Sequence, residues 1–352
     1  MKKWLAFALA LVMLFSLCGC PKTDDPKATD NSAPSSAPST PNNNSGGTTE
    51  TGNFSVLTET VLSFVDGDDS ETMKYEFVYD DAYNLIGCKL YAEGALMMES
   101  TFDKDPNTPL TLVNYDEDGT VCDRTEYTYD ENSNVLTERY YFDEELMTEA
   151  IYTYDDHGNV LTKYYDNGEE DWTETYENNY ENGVLTEVKI YSHDALQERF
   201  LYDSDGNELL HSYYYDGEEG SRYESTYENG KLVLCVDYSD GKETSREEYT
   251  YNNSGKRLTR TISSDGVVHH QEERVYDADD QLIEVKYLND DDYSANTVIG
   301  YEDGSFVSVK LYDEGELEGD YTFTYEKANV SEEQAQILTE FYNNLLAELA
   351  DL

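Results

Sequence analysis

The sequence predicts an all-β chain: an elongated, coiled antiparallel β-meander of about ten 24–25-residue hairpin repeats, capped by a C-terminal α-helix. Three observations lead there. A Tyr-Asp turn motif returns with a steady period, the runs between turns alternate in polarity, and tyrosine supplies 33 of the 352 residues. With a mean hydropathy of -0.73, the chain is polar yet too aromatic for a simple disordered coil. Tyrosine joins an apolar ring to a polar tip, which suits half-exposed sheet surfaces.

In chain order, residues 1–19 come first. MKKWLAFALALVMLFSLCG has a basic start at Lys2 and Lys3 and an apolar run from Trp4 to Leu17, the pattern of a signal peptide core. The following Leu17-Cys18-Gly19-Cys20 resembles the lipobox of bacterial lipoproteins. That resemblance implies cleavage after Gly19 and a diacylglycerol on the Cys20 thiol. It therefore implies a lipid anchor in the cell membrane on the extracytoplasmic side, at the bacterial cell surface. Residues 20–52, rich in Pro, Ser, Thr, Asn and Gly, read as a disordered stalk.

Residues 53–328 hold the repeats. The apolar residues closing the first turn class are Ile86, Leu110, Leu136, Leu161, Leu185, Leu209, Leu232, Leu258, Ile283 and Phe306, spaced 23 to 26 residues apart. A period this steady marks a repeat array. A second turn class, as in Tyr91-Ala92-Glu93-Gly94 and Tyr238-Ser239-Asp240-Gly241, falls between successive members of the first. Asp and Asn bond nearby backbone and glycine accepts positive φ, so each repeat reads as a hairpin. Two strands per repeat give about twenty strands, with tyrosines stacking in ladders across them.

Cys88, Cys122 and Cys235 are odd in number and read as small buried hydrophobes. Cys88 and Cys122 lie about three strands apart, roughly 14 Å at sheet spacing, too far for a disulfide. Residues 329–352 change period. Ser331 and Gln334 form a capping box, and Ile337, Leu338, Phe341, Leu345 and Leu349 recur at helical spacing. The helix is expected to cover the last strand and blunt its edge.

The motif Tyr154-Asp155-Asp156-His157-Gly158-Asn159-Val160-Leu161, with Tyr202-Asp203-Ser204-Asp205-Gly206-Asn207, resembles the YD repeat of RHS-type proteins over about residues 75–326. Large members of that family coil such strands into a shell around a toxin or use them in surface adhesion. The shortened copies at Tyr180, Tyr227 and Tyr301 are similar to MORN-like repeats of small bacterial accessory proteins, antitoxins among them.

Composition narrows the partners. The formal net charge is -53, a field that repels phosphate backbones, so nucleic acid is not an expected partner. No histidine pair at helical spacing, nucleophile elbow or phosphate loop appears, and no enzyme activity is expected. Asp103–Asn107 and Asp203–Asn207 alternate oxygen ligands but lack the rest of a calcium loop. No cofactor is expected beyond weak calcium binding. Trp172, Tyr152, Tyr154 and Tyr164 are the candidate ligand-contact aromatics, since rings stack on the apolar faces of saccharides. The expectation is a non-enzymatic scaffold or binding module for polysaccharide or protein. The alternative is an accessory or immunity-type partner of a toxin system, implied by the resemblance.

Overall fold

The structure, a computed structural model, describes residues 51–66, 69–103, 106, 108–289 and 294–350. The signal segment, Cys20 and most of the expected stalk lie outside them. The strands run β1 (Thr51–Asp66), β2 (Asp69–Tyr79), β3 (Leu85–Ala92), β4 (Ala95–Phe102), β5 (Pro109–Tyr115), β6 (Val121–Tyr129), β7 (Val135–Phe142) and β8 (Glu145–Tyr154). They continue as β9 (Val160–Asp166), β10 (Asp171–Glu181), β11 (Val184–Ser192), β12 (Ala195–Tyr202), β13 (Glu208–Tyr215), β14 (Glu218–Glu228) and β15 (Lys231–Ser239). The last are β16 (Lys242–Tyr251), β17 (Arg257–Ser264), β18 (Val267–Tyr276), β19 (Leu282–Asn289), β20 (Ser294–Glu302), β21 (Ser305–Asp313) and β22 (Glu316–Ser331). One helix follows, α1 (Glu332–Ala350).

Each strand pairs antiparallel with the next, and β22 pairs with β1 from Thr51↔Ser331 to Phe64↔Gly319. The sheet is therefore a closed 22-stranded barrel, and the expected elongated, open coil is wrong. The physical reason lies at the strand ends. Register shifts recur at the motif tyrosines, for example Val78/Tyr79, Thr128/Tyr129, Thr153/Tyr154 and Thr250/Tyr251. Bulges bend the bulged strand and increase twist, so a bulge repeated from hairpin to hairpin curls the sheet on itself. The two 16-residue strands β1 and β22 then seal it. Closure leaves no edge for α1 to blunt, which corrects the role expected of the helix.

The turns show why the motif reads as it does. Second-class turns place two consecutive residues at positive φ, as at Glu93–Gly94, Asp240–Gly241 and Glu314–Gly315, the requirement of a two-residue hairpin. In the longer turn after Tyr154, Asp155 Oδ1 accepts the His157 and Asn159 amides at 2.9 Å each, while Gly158 sits at φ 84°. Asp80, Asp130, Asp203 and Asp277 hold their turns the same way. In Asp203–Asn207, both carboxylate oxygens are thus engaged with Asp205 and Asn207 rather than set out as calcium ligands.

The tyrosines do more than stack. Tyr129 Oη donates to the Pro109 carbonyl at 2.7 Å, Tyr154 to Val135 at 2.7 Å, Tyr251 to Leu232 at 2.6 Å and Tyr325 to Phe306 at 2.9 Å. The first three tie the end of an even strand to the start of its odd neighbour, and Tyr325 makes the same link from within the longer β22. The motif tyrosine is a latch within the hairpin.

Alternation sorts side chains onto two walls. One carries Met73, Tyr75 and Phe77 in β2, Ala150 and Tyr152 in β8, Phe200 in β12 and Tyr321 in β22, all buried. The other carries cross-strand charges such as Lys89–Glu99 at 3.1 Å and Arg199–Glu187 at 2.7 Å. In a closed sheet the crowded concave side is the one that buries, so the first is the inner wall. Helix α1 packs on it: Phe341 meets Phe77 edge-on at 5.9 Å between centroids, and the Leu57 amide donates to Tyr342 Oη at 2.8 Å. The reciprocal bonds of Ser331 and Gln334 start the helix, at 2.9 and 3.2 Å. Cys88, Cys122 and Cys235 are free; Cys88 is buried and the other two are half-buried.

Candidate functional site

The candidate surface is the part of the inner wall away from α1, on β7 through β18. Trp172 and Tyr165 stand directly opposite each other on β10 and β9, with ring centroids 4.3 Å apart and planes tilted by 42°. Both are half-buried and lie beside the exposed turn that separates their strands. Tyr176, two pairs along β10, donates to Glu174 at 3.2 Å.

The four aromatics picked from sequence do not converge. Tyr152 is 3% exposed, its hydroxyl 3.4 Å from Glu138 and its ring capped by Lys163, so it is core. Tyr154 is spent on its latch to Val135, and burial pushes its hydroxyl pKa up to about 12. Tyr164 pairs with Ile151 and Thr173, which puts it on the outer wall. Trp172 is the half-exposed inner aromatic of the four that is not spent on a latch, with Tyr165 as a partner that sequence reading passed over.

Two further clusters were not anticipated. His211 stacks on Phe200 at 4.0 Å and leans on Tyr213 at 4.3 Å, with its Nε2 2.8 Å from Glu198. On β16 to β18, Arg260 holds Glu247 with two bonds of 2.9 and 3.0 Å. Glu272, 2% exposed, takes Arg257 at 2.7 and 3.0 Å and Arg274 at 2.5 Å. Burial pushes the Glu272 carboxyl pKa up, but the two guanidiniums outweigh it and hold the group below the ordinary glutamate range. For Glu138, burial wins over Lys163 and the carboxyl is raised. The signal for the arginine group was present in sequence, since Arg257, Arg260 and Arg274 fall close together in a chain with only 23 basic residues.

Among the described residues, no group of three or more His, Cys, Asp or Glu is placed to hold a metal, and no helix is long and apolar enough to cross a membrane. The latter says nothing about crossing by strands. The fold and wall together define a closed β-barrel of latched hairpins, with an aromatic and ionic inner lining.

No family model and no curated protein matches the chain. Among solved structures, the chain is similar to a porin-like protein from Bacteroides uniformis, at 13% identity and a TM-score of 0.28 over 77% of this chain and 98% of that one. A porin-like protein from Bacteroides vulgatus gives 11% identity and 0.24 over 78% and 99%. The complex TcdB2-TccC3 without its hypervariable C-terminal region gives 14% identity and 0.27, over 80% of this chain and 20% of that one. Every one of these scores is below 0.5, so none of the likenesses assigns this chain a class or an activity.

Proposed function

We propose that the chain is a non-enzymatic binding module that takes polysaccharide at the Trp172–Tyr165 platform. The observation that carries this reading is the pair itself: two large rings at 4.3 Å, half-buried, on the end of the inner wall next to an exposed turn. A tilted ring pair offers an apolar face to a sugar ring, with Glu174 and Tyr176 nearby as hydrogen-bonding groups. In this reading the lipid on Cys20 and the residues up to 50 hold the barrel at the cell surface. The charged outer wall supports a barrel standing in water, since a Lys or Arg facing lipid at the midplane costs about 2–4 kcal/mol.

The test is a panel of cell-wall, mucin and plant polysaccharides offered to the full chain. Saturable binding to one glycan class, weakened about tenfold or more by Trp172→Ala and by Tyr165→Ala, is the expected result. Binding that survives both substitutions would sink the reading.

A further inference from the structure

On the open inner wall a second group of rings stands beyond the Trp172–Tyr165 pair. Phe200, His211 and Tyr223 are directly opposed in one row across β12, β13 and β14, and Tyr213 faces Glu198 in the next row. The His211 ring lies 4.0 Å from Phe200 and 4.3 Å from Tyr213 between centroids, and Tyr213 meets Tyr223 edge-on at 6.2 Å. Of the described tyrosines only Tyr215 and Tyr223 are exposed, at 68% and 40%. Tyr215 ends β13 at a turn, whereas Tyr223 stands in the middle of β14 with its strand paired on both sides. Its exposure marks a stretch of inner wall that the barrel itself does not cover.

The two ring groups are joined by a continuous row. Trp172, Glu174 and Tyr176 share the inner face of β10. Tyr176, Ile190, Glu198 and Tyr213 are then opposed in succession from β10 to β13. Four residues along a strand and three strands across put Tyr213 roughly 20 Å from Trp172. That span exceeds a disaccharide and suits a chain of several sugar residues. The polar groups along it are carboxylates. Glu174 accepts the Tyr176 hydroxyl at 3.2 Å, Glu198 Oε2 lies 2.8 Å from His211 Nε2, and Asp237, directly opposite Tyr223, accepts the Ser245 hydroxyl at 3.2 Å. An ionised carboxylate has about four lone-pair sites, so each keeps room for further hydroxyl donors. The same groups repel an acidic sugar, and Lys163, the cation next to the platform, stands opposite Glu174 and over the Tyr152 ring.

We propose that the saccharide site continues from Trp172–Tyr165 to a second subsite at Tyr213–Tyr223 and takes an internal stretch of an uncharged, linear polysaccharide. This rests on the reading of the Trp172–Tyr165 pair as a sugar platform. One sugar ring lies on each aromatic group, and hydroxyls of the residues between them donate to Glu174 and Glu198. A chain held at two places gains affinity from the linkage itself.

The test titrates disaccharides and hexasaccharides of glucan, mannan and xylan calorimetrically into the full chain, with a galacturonan hexasaccharide as the charged counterpart. At least one neutral hexasaccharide is expected to bind about tenfold or more tightly than its disaccharide. Tyr223→Ala should weaken that hexasaccharide about fivefold and leave the disaccharide within about twofold, while Tyr223→Phe keeps the ring and changes neither. Trp172→Ala should weaken both, and the control Tyr191→Ala, opposite Thr175 on the outer wall, should weaken neither. The galacturonan should bind about tenfold or more weakly than the neutral chain. Equal affinity for the two lengths, a Tyr223→Ala variant that holds the hexasaccharide as tightly as the wild type, or galacturonan bound as well as the neutral chain would each overturn the extended site and leave the platform standing. No saccharide bound, or binding indifferent to Trp172→Ala, would remove the platform and the extension with it.

Discussion

Around α1, the inner wall of β1 to β4 and β20 to β22 packs Tyr75, Phe77, Leu90, Met98, Ile299 and Tyr321 into one apolar core with Phe341, Leu345 and Leu349 of the helix. Across the ring, the inner positions of β7 to β18 hold Glu138, Glu174, Glu198, His211, Glu247, Arg260 and Glu272 among their tyrosines. The hairpins and turns are alike in both sectors. What differs is the layer that covers them. Where a helix supplies apolar surface, large hydrophobic side chains are buried efficiently. Where none does, the buried cluster is a small one around Tyr152 among half-buried tyrosines, and polar groups persist by pairing with one another. One repeat thus supports a sealed sector and an open one.

The most severe way to break this contrast is Phe341→Ala, which empties the contact with Phe77 in the sealed sector. We expect a loss of about 3–5 kcal/mol in urea unfolding, whereas Trp172→Ala in the open sector should cost well under that. Equal losses would erase the distinction between the sectors.

Arg274→Ala sharpens it from the other side. Glu272 would remain buried with Arg257 as its charge partner, at a cost of about 2–4 kcal/mol near pH 7. The sign with pH follows from the lowered Glu272 pKa. A depressed carboxyl contributes stability that is present above its unfolded value and is lost as pH falls through the folded value. The gap between wild type and variant should therefore narrow in unfolding curves recorded from about pH 5 downward. A gap that is constant with pH would assign the arginine's contribution to packing. The smallest effect belongs to the shared framework: Tyr154→Phe deletes one latch and should cost about 1 kcal/mol, read as a shift in urea midpoint.

Much of the hairpin was legible in the sequence. Asp155, Gly158 and Asn159 act within their own turn, and local hydrogen bonds and φ preferences need no distant partner. The facing of the closing residue was less legible. Leu136 and Leu161 mark the period yet are 37% and 39% exposed, while Val135 and Val160 before them are buried. The reason is register. The residue opposite the motif tyrosine faces inward, and that is Val160 after a five-residue turn but Leu232 after a two-residue turn. Of the proposed platform, Trp172 could be picked out by rarity. Its partner Tyr165, and the placing of Tyr164 on the other wall, depended on a strand register that periodicity alone left open.

The sequence by itself determined the hairpin repeat, its turn chemistry, the helix start at Ser331 and Gln334, and the acidic character that bears on partners. These are local or additive properties, set by residues a few positions apart or by simple sums. Tertiary structure decided that β22 returns to pair with β1, that α1 packs on the inner wall, and which polar side chains meet along it. Those outcomes depend on small bulges accumulated over the whole ring and on contacts between residues more than 250 positions apart, such as Leu57 and Tyr342.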